Sequence, residues 1–169
     1  KSVKKIKNIG EPIDAIINAA GIASMNLAVT TNEDSVKKLI NTNLNGTIYC
    51  CQLFAPILIR QKFGAFINFS TIAVSLSLKG ESVYAASKAG VETFTKSFAR
   101  EMSDFNIKVN CIAPGPIKTD LLKGITDNQI DNIISQQIIP KIFEKSDICD
   151  LVEILLDIKS SSLSGQILN

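Results

Sequence analysis

The run Gly64-Ala65-Phe66-Ile67-Asn68-Phe69 constrains the fold of this chain more than any other stretch. It is apolar on successive residues and does not alternate with polar ones. Residues 65–69 therefore read as a strand buried on both faces, which belongs in a parallel sheet covered by helices. Ile13–Asn18 and Lys108–Ile112 read as two further strands. Between them, Val36, Leu39, Ile40, Leu44, Ile48 and Cys51, and later Val91, Phe94 and Phe98, keep a helical period. Strands alternating with helices predict an α/β, doubly wound, Rossmann-like parallel sheet with helices on both faces. With 169 residues the chain suits one domain, residues 1–169, with a continuous core.

Composition removes several function classes. Apolar residues at 46% and charged residues at 20% describe a globular chain. A net charge of +2 gives no strong field toward nucleic acid or anionic membrane. The lysines of residues 1–7 alternate with Val3, Ile6 and Ile9 in a way that reads as the solvated side of a helix tail, closed by Gly10 and Pro12. No run reaches the roughly 18 apolar residues of a spanning helix, and no apolar leader core follows the lysines. The cysteines at 50, 51, 111 and 149 form no Cys-x-x-Cys pair and the chain has no histidine, so neither a metal site nor a disulfide framework is expected. The absent histidine also removes Ser-His and Cys-His hydrolysis. A reducing cytoplasm is the expected setting.

Tyr84 and Lys88 lie four apart at the start of the helix that carries Val91, Phe94 and Phe98, and so share a face. An ammonium beside a phenol favours the phenolate, which predicts a Tyr84 pKa drawn down from about 10. A tyrosine tuned in this way exchanges a proton with a substrate oxygen. Ser70 and Thr71 stand at the carboxyl end of the 65–69 strand, where open α/β sheets bind ligands, and Thr71 is thirteen residues before Tyr84. Neighbouring side chains alternate along a strand, so one of the two hydroxyls faces the cleft. The strand alone leaves Ser70 and Thr71 both open.

The hydroxyl, Tyr84-x-x-x-Lys88, Asn18-Ala19-Ala20-Gly21 and Pro114-Gly115-x-x-x-Thr119 together resemble the short-chain dehydrogenase/reductase family. The pattern is most similar to 3-oxoacyl-[acyl-carrier-protein] reductases. The resemblance implies an NAD(P)-dependent oxidoreductase that passes hydride between nicotinamide and a carbonyl or hydroxyl substrate, with Asn43, Thr71, Tyr84 and Lys88 catalytic. It implies further that the Asn18–Gly21 motif steadies the central sheet, that Asn18, Ala19 and Gly21 line the cofactor cleft, and that Tyr84 and Lys88 meet the nicotinamide ribose. Pro114, Gly115, Ile117 and Thr119 would hold the carboxamide or pyrophosphate, with Ile117 acting through its backbone. Asn43 would sit at a helix kink, its carbonyl holding a relay water toward Lys88. The cofactor is expected to be NAD or NADP. The substrate is a small or carrier-bound carbonyl compound, without nucleic acid or membrane as partner, and the assembly is a homo-oligomer, a tetramer. The alternative is a non-catalytic relative that keeps the fold as a binding or assembly subunit.

The family's fold opens on a strand, a Gly-rich turn and a helix that receives the pyrophosphate. No Gly-x-x-x-Gly-x-Gly occurs in this sequence. The chain therefore reads as the later two thirds of the fold, with about 70 to 80 further residues expected upstream.

Local signals fill in the rest. Thr31 before Asn32-Glu33-Asp34 predicts a helix cap, and Asn43 to Gly46 predict a disturbance inside the helix. Pro56 predicts a bend, and residues 75–82 a serine-rich loop. The Tyr84 helix is expected to run to about Phe105, a short helix to span Asp127–Gln137 within a substrate lid, another to start at Ser146, and a last strand to lie at 164–168. The helices at 47–59 and 89–102 are expected to bury outer faces against a symmetry mate.

Overall fold

The computed structural model describes residues 11–122, 125–157 and 162–169, and the helix tail expected at residues 1–9 lies outside them. Four parallel strands, β1 (Ala15–Asn18), β2 (Gly64–Phe69), β3 (Ile107–Ile112) and β4 (Ile167–Leu168), form one sheet in the order β1-β2-β3-β4. The register pairs Asn18 with Asn68 and Phe66 with Val109. Three strands thus end together on one side, and the loops that leave them build the cleft.

Because residues alternate across the sheet, Phe66, Ile107 and Val109 face one layer of helices while Ile67, Phe69 and Ile112 face the other. The first layer is α2 (Gly46–Gln61) and α4 (Ser82–Met102), which contribute Cys51, Ala55, Leu58, Phe98, Ala99 and Met102. Phe98 meets Phe66 edge to face at 5.4 Å and stacks on Phe94 at 5.1 Å. Each such buried side chain stabilises the fold by roughly 1.5–3 kcal/mol. The second layer is α6 (Lys145–Leu156), which buries Leu155 against Ile67 and Ile112. Helices on both faces of a parallel sheet are the architecture the sequence predicted.

Polar side chains lock the layers where apolar packing alone would leave register loose. Asn18 donates to Asn68 Oδ1 at 2.8 Å, and Asn68 donates to Thr95 Oγ1 of α4 at 2.9 Å. Asn68 and Thr95 are fully buried, so each bond satisfies a group that water cannot reach. On the other face Asn110 donates to Leu163 O at 2.8 Å and accepts from Gln166 N at 3.0 Å, which pins the approach to β4.

Element ends differ from expectation by a residue or two. Asn32, rather than Thr31, caps α1 (Glu33–Leu39), its Oδ1 accepting from Ser35 N at 2.8 Å. Thr31 turns back to Leu27 O instead. The disturbance expected near Asn43 is a π-helical turn over Ile40–Asn45 that joins α1 to α2. Pro56 is accommodated inside α2, which ends where Lys62 enters the left-handed region at φ 61°. Residues 73–76 form a short α3 (Ala73–Leu76) that takes in the start of the loop expected at 75–82. The Tyr84 helix stops at Met102, continues as one 3-10 turn, and closes at Asn106, φ 57°. The lid helix is α5 (Asp127–Ser135), opened by a capping box between Thr126 and Gln129. Glu144 rather than Ser146 stands at the amino end of α6.

Candidate active site

A cleft of about 760 Å³ opens where β1, β2 and β3 end, lined by Ala19, Gly21, Thr71, Tyr84, Lys88 and the 114–119 loop. Its outer wall is apolar, with Leu78, Leu121, Ile125, Ile133, Ile148 and Val152 contributed by α6 and the lid region.

The amino-terminal turns of α4 bring Tyr84 and Lys88 onto one buried face, 6% and 5% exposed. Lys88 Nζ donates to the carbonyl oxygen of Phe69, the last residue of β2, at 2.9 Å. Thr71, two residues on, lies beside the Tyr84 phenol, close enough that hydrogen bonding between them favours the phenolate. Ser70 points elsewhere. Its hydroxyl donates to Glu92 Oε1 of α4 at 2.6 Å. Thr71 is thus the hydroxyl brought to Tyr84.

The Tyr84 pKa differs from the sequence expectation. Burial pushes it up to about 12, Thr71 opposes that, and the nearby Glu81 carboxylate raises it further. Burial is the largest of these causes, and the Lys88 charge is not among them. Burial also lowers the Lys88 pKa.

Asn43 is fully buried behind Gly21 and does not line the cleft. Its Oδ1 accepts from Ile22 N at 2.9 Å, and its Nδ2 donates to Ile22 O at 2.9 Å and Ser87 Oγ at 3.0 Å. Its main-chain carbonyl accepts from Thr47 Oγ1 at 2.8 Å. The neighbours Asn41 and Asn45 pair with each other at the surface. Sequence reading passed over Ser87, whose hydroxyl links the Asn43 amide to the Tyr84 carbonyl oxygen, to which it donates at 2.7 Å. A serine three residues after the tyrosine, able to bond back one turn, was the available signal.

Asn18, expected at the cleft, turns into the layer beneath α2 and α4 and acts on the sheet. Ala19 and Gly21 do line the cleft. A Cβ on Gly21 would stand 3.2 Å from Lys88 Nζ and 3.4 Å from Asn43 Oδ1, so only a bare backbone leaves both groups in place. Pro114, Gly115, Ile117 and Thr119 form the opposite wall. There Phe143 N donates to Pro116 O at 3.0 Å and Lys118 N to Phe143 O at 3.2 Å, a parallel bridge around Ile117. In that pattern the N–H and C=O of Ile117 itself point away from Phe143 and are left for a ligand.

The sequence profile described as enoyl-(acyl carrier protein) reductase, a short-chain dehydrogenase family, matches residues 1–169. The chain belongs to the short-chain dehydrogenase/reductase family. It is an NAD(P)-dependent oxidoreductase that moves hydride between a nicotinamide and a carbonyl or hydroxyl substrate. The 3-oxoacyl-[acyl-carrier-protein] reductase FabG of Staphylococcus epidermidis is 34% identical over 164 residues, covering 97% of this chain and 67% of that protein. The FabG of Chlamydia pneumoniae is 39% identical over 126 residues, 75% of this chain and 51% of its own. The crystal structure of gox2181 superposes with a TM-score of 0.92 at 26% identity, over 99% of this chain and 67% of its own. The residues lining the cleft fit the nicotinamide end of the family's cofactor: a bare backbone at Gly21, a buried ammonium at Lys88 and the Ile117 N–H and C=O turned away from Phe143.

Proposed function

We propose that this protein reduces the 3-keto group of an acyl thioester borne on a carrier, as the names of its relatives state for those proteins. When bound, the nicotinamide, NAD or NADP, supplies the hydride. The chain's own residues orient the substrate and manage the proton. Thr71 and Tyr84 hold the carbonyl oxygen between two hydroxyls. The Tyr84 phenol, protonated at neutral pH because its pKa lies near 12, gives its proton to that oxygen. Lys88 holds the ribose while its bond to Phe69 fixes its reach. Asn43, acting through Ile22 and Ser87, keeps the loop after β1 and the first turn of α4 in register. Ile117 would take the carboxamide through its backbone, with Pro114, Gly115 and Thr119 shaping that wall, and Ala19 and Gly21 would line the facing one.

The observation that carries this reading is the convergence of Thr71, Tyr84 and Lys88 on one face of an otherwise apolar cleft. That wall suits an acyl chain better than a polyol. The test is consumption of reduced nicotinamide with an acetoacetyl thioester, with a crotonyl thioester as the competing enoyl substrate, in the wild type and in Tyr84→Phe. Turnover of the keto substrate that falls at least about a hundredfold in Tyr84→Phe is the expected result. Preference for the crotonyl compound, or near-normal turnover in Tyr84→Phe, rejects the reading.

A cytoplasmic homotetramer of single-domain chains completes the proposal. Among the described residues no helix is long and apolar enough to cross a membrane. Tyr49 and Leu53, four apart on α2, are 59% and 56% exposed, an apolar pair suited to a symmetry mate. On α4, by contrast, Val91 and Phe98 are buried in the chain's own core, so the outer apolar face expected there is absent. A monomeric mass by light scattering at micromolar concentration rejects the tetramer.

A further inference from the structure

Glu81 stands at the amino end of α4, one turn before Tyr84, and lines the cleft with Leu78, Ala73 and Thr71. It is only 8% exposed, yet its carboxylate makes no hydrogen bond or ion pair with any described residue. Its main chain is fully used, the N–H donating to Leu78 O at 3.2 Å and the C=O accepting from Ala85 N at 2.7 Å. The cap position therefore does not account for the acid, since its side chain caps nothing. With no partner among the described residues the carboxylate keeps its remaining contact with solvent through the cleft, and the burial around it disfavours its charge. What remains accessible to it is the cleft, at the point where Tyr84 and Thr71 converge.

We propose that Glu81 is a charge filter: it admits substrates that are neutral, or carry a hydrogen-bond donor, beside the reacting carbonyl and turns away those that carry a carboxylate there. The inference rests on the reading of Tyr84 as the proton donor and adds what the substrate must look like next to it. A second anion in an apolar cleft beside Glu81 is repelled with little solvent to screen it, whereas a thioester in the same place is not. Burial raises the Glu81 pKa, as expected for an acid lacking a partner, and a fraction protonated at lower pH would donate to a thioester carbonyl oxygen. Carrier-linked or esterified 3-oxo acyl groups pass; the free 3-oxo acids do not. The other charged residues lining the cleft are Lys88, whose ammonium donates to Phe69 O, and Lys145 and Glu153 on α6, and substituting Glu81 alone isolates its share from theirs.

The test compares acetoacetate with its neutral N-acetylcysteamine thioester on the whole protein, by calorimetric affinity and by turnover, in the wild type, Glu81→Gln and Glu81→Lys. The wild type should favour the thioester over the free acid by at least about tenfold. Glu81→Gln should narrow that ratio by about tenfold, chiefly through KM, and Glu81→Lys should turn it toward the free acid. Melting curves that match the wild type separate this from a loss of fold. A wild type that binds acetoacetate as well as the thioester overturns the proposal without reference to any variant. So does a ratio that stays fixed in folded Glu81→Gln and Glu81→Lys. If neither compound is turned over, carbonyl reduction itself fails, while the ratio of affinities still decides the filter.

Discussion

The Lys88 ammonium donates to the carbonyl oxygen of Phe69 at 2.9 Å and so ties α4 to the carboxyl end of β2. The bond holds a charge that is only 5% exposed and fixes how far it extends over Gly21. Lys88→Met keeps the stem and deletes the charge. It should therefore weaken nicotinamide-cofactor affinity and lower turnover together, each by tenfold or more, since a charged hydrogen bond is worth about 1.5–3 kcal/mol. Lys88→Arg should not rescue, because the planar guanidinium needs room beside Gly21, where even an added Cβ would stand 3.2 Å from Lys88 Nζ. Fluorescence titration of the cofactor checks the first half. Unchanged affinity in Lys88→Met would show that Lys88 does not touch the cofactor.

Tyr84 gives a prediction in alkali. Its folded pKa of about 12 exceeds the ordinary phenol value of 10.0, so the unfolded chain ionises first as pH rises. The contribution of the neutral phenol to stability is fully present below about pH 10 and is lost as pH climbs from there through about 12; its size is at most on the order of 3 kcal/mol. Phenolate absorbance in a Tyr49→Phe background isolates this group, the chain having 2 tyrosines. Glu81→Gln should lower the midpoint, because the Glu81 charge is one of the causes that raise it. A midpoint at or below 10 would mean that the Lys88 charge outweighs burial.

Thr71 and Ser70 should separate cleanly. Thr71→Val keeps shape and removes the hydroxyl beside Tyr84, so turnover of the folded protein should fall strongly, by about a hundredfold, with a stability cost of about 0.5–1.5 kcal/mol for the bond that Ala73 N donates to Thr71 Oγ1. Ser70→Ala removes the donor that Glu92 Oε1 accepts at 2.6 Å, and so should cost about 1–3 kcal/mol of stability with turnover of the folded protein nearly intact. Thermal melts paired with single-turnover rates read both. A larger loss of turnover in Ser70→Ala would move the working hydroxyl one residue back.

The fold was legible because buried parallel strands announce themselves: β2 and β3 stand within one residue of the apolar runs that predicted them. The position of Tyr84 and Lys88 on one face of α4 followed from helical spacing alone. What stayed hidden depends on three-dimensional neighbours. Asn18 lies in a motif whose resemblance implies both steadying the sheet and lining the cleft, and which of the two its side chain does is decided by Asn68, fifty residues away. The Tyr84 pKa was read from Lys88 four residues on, while burial, first of all, decides it. Ser87 and Glu81 look ordinary in sequence, and only their burial and partners, or the lack of one, mark them. The π-turn at Ile40–Asn45 was visible as poor helix formers, but the reason for it, the paired bonds from Asn43 to Ile22, was not.

Two glycines should answer the same substitution with opposite signs. At Gly21 a Cβ meets Lys88 Nζ at 3.2 Å and Asn43 Oδ1 at 3.4 Å. Neither neighbour is free to give way, since Lys88 is bonded to Phe69 O and Asn43 to both Ile22 and Ser87. Gly21→Ala should therefore cost on the order of 1–2 kcal/mol and displace the ammonium, lowering cofactor affinity as Lys88→Met does. At Gly46, the first residue of α2, the backbone is helical with φ −57°, and a Cβ meets only Asn41 O at 3.6 Å, an ordinary contact. Gly46→Ala should stabilise the fold by about 0.4–1 kcal/mol through the unfolded chain's lost freedom, with the site untouched. Denaturant melts of the two variants, with cofactor titration of each, compare them directly. If Gly21→Ala melts and binds like the wild type, Lys88 is not held against that backbone and the rigid site described for it is wrong.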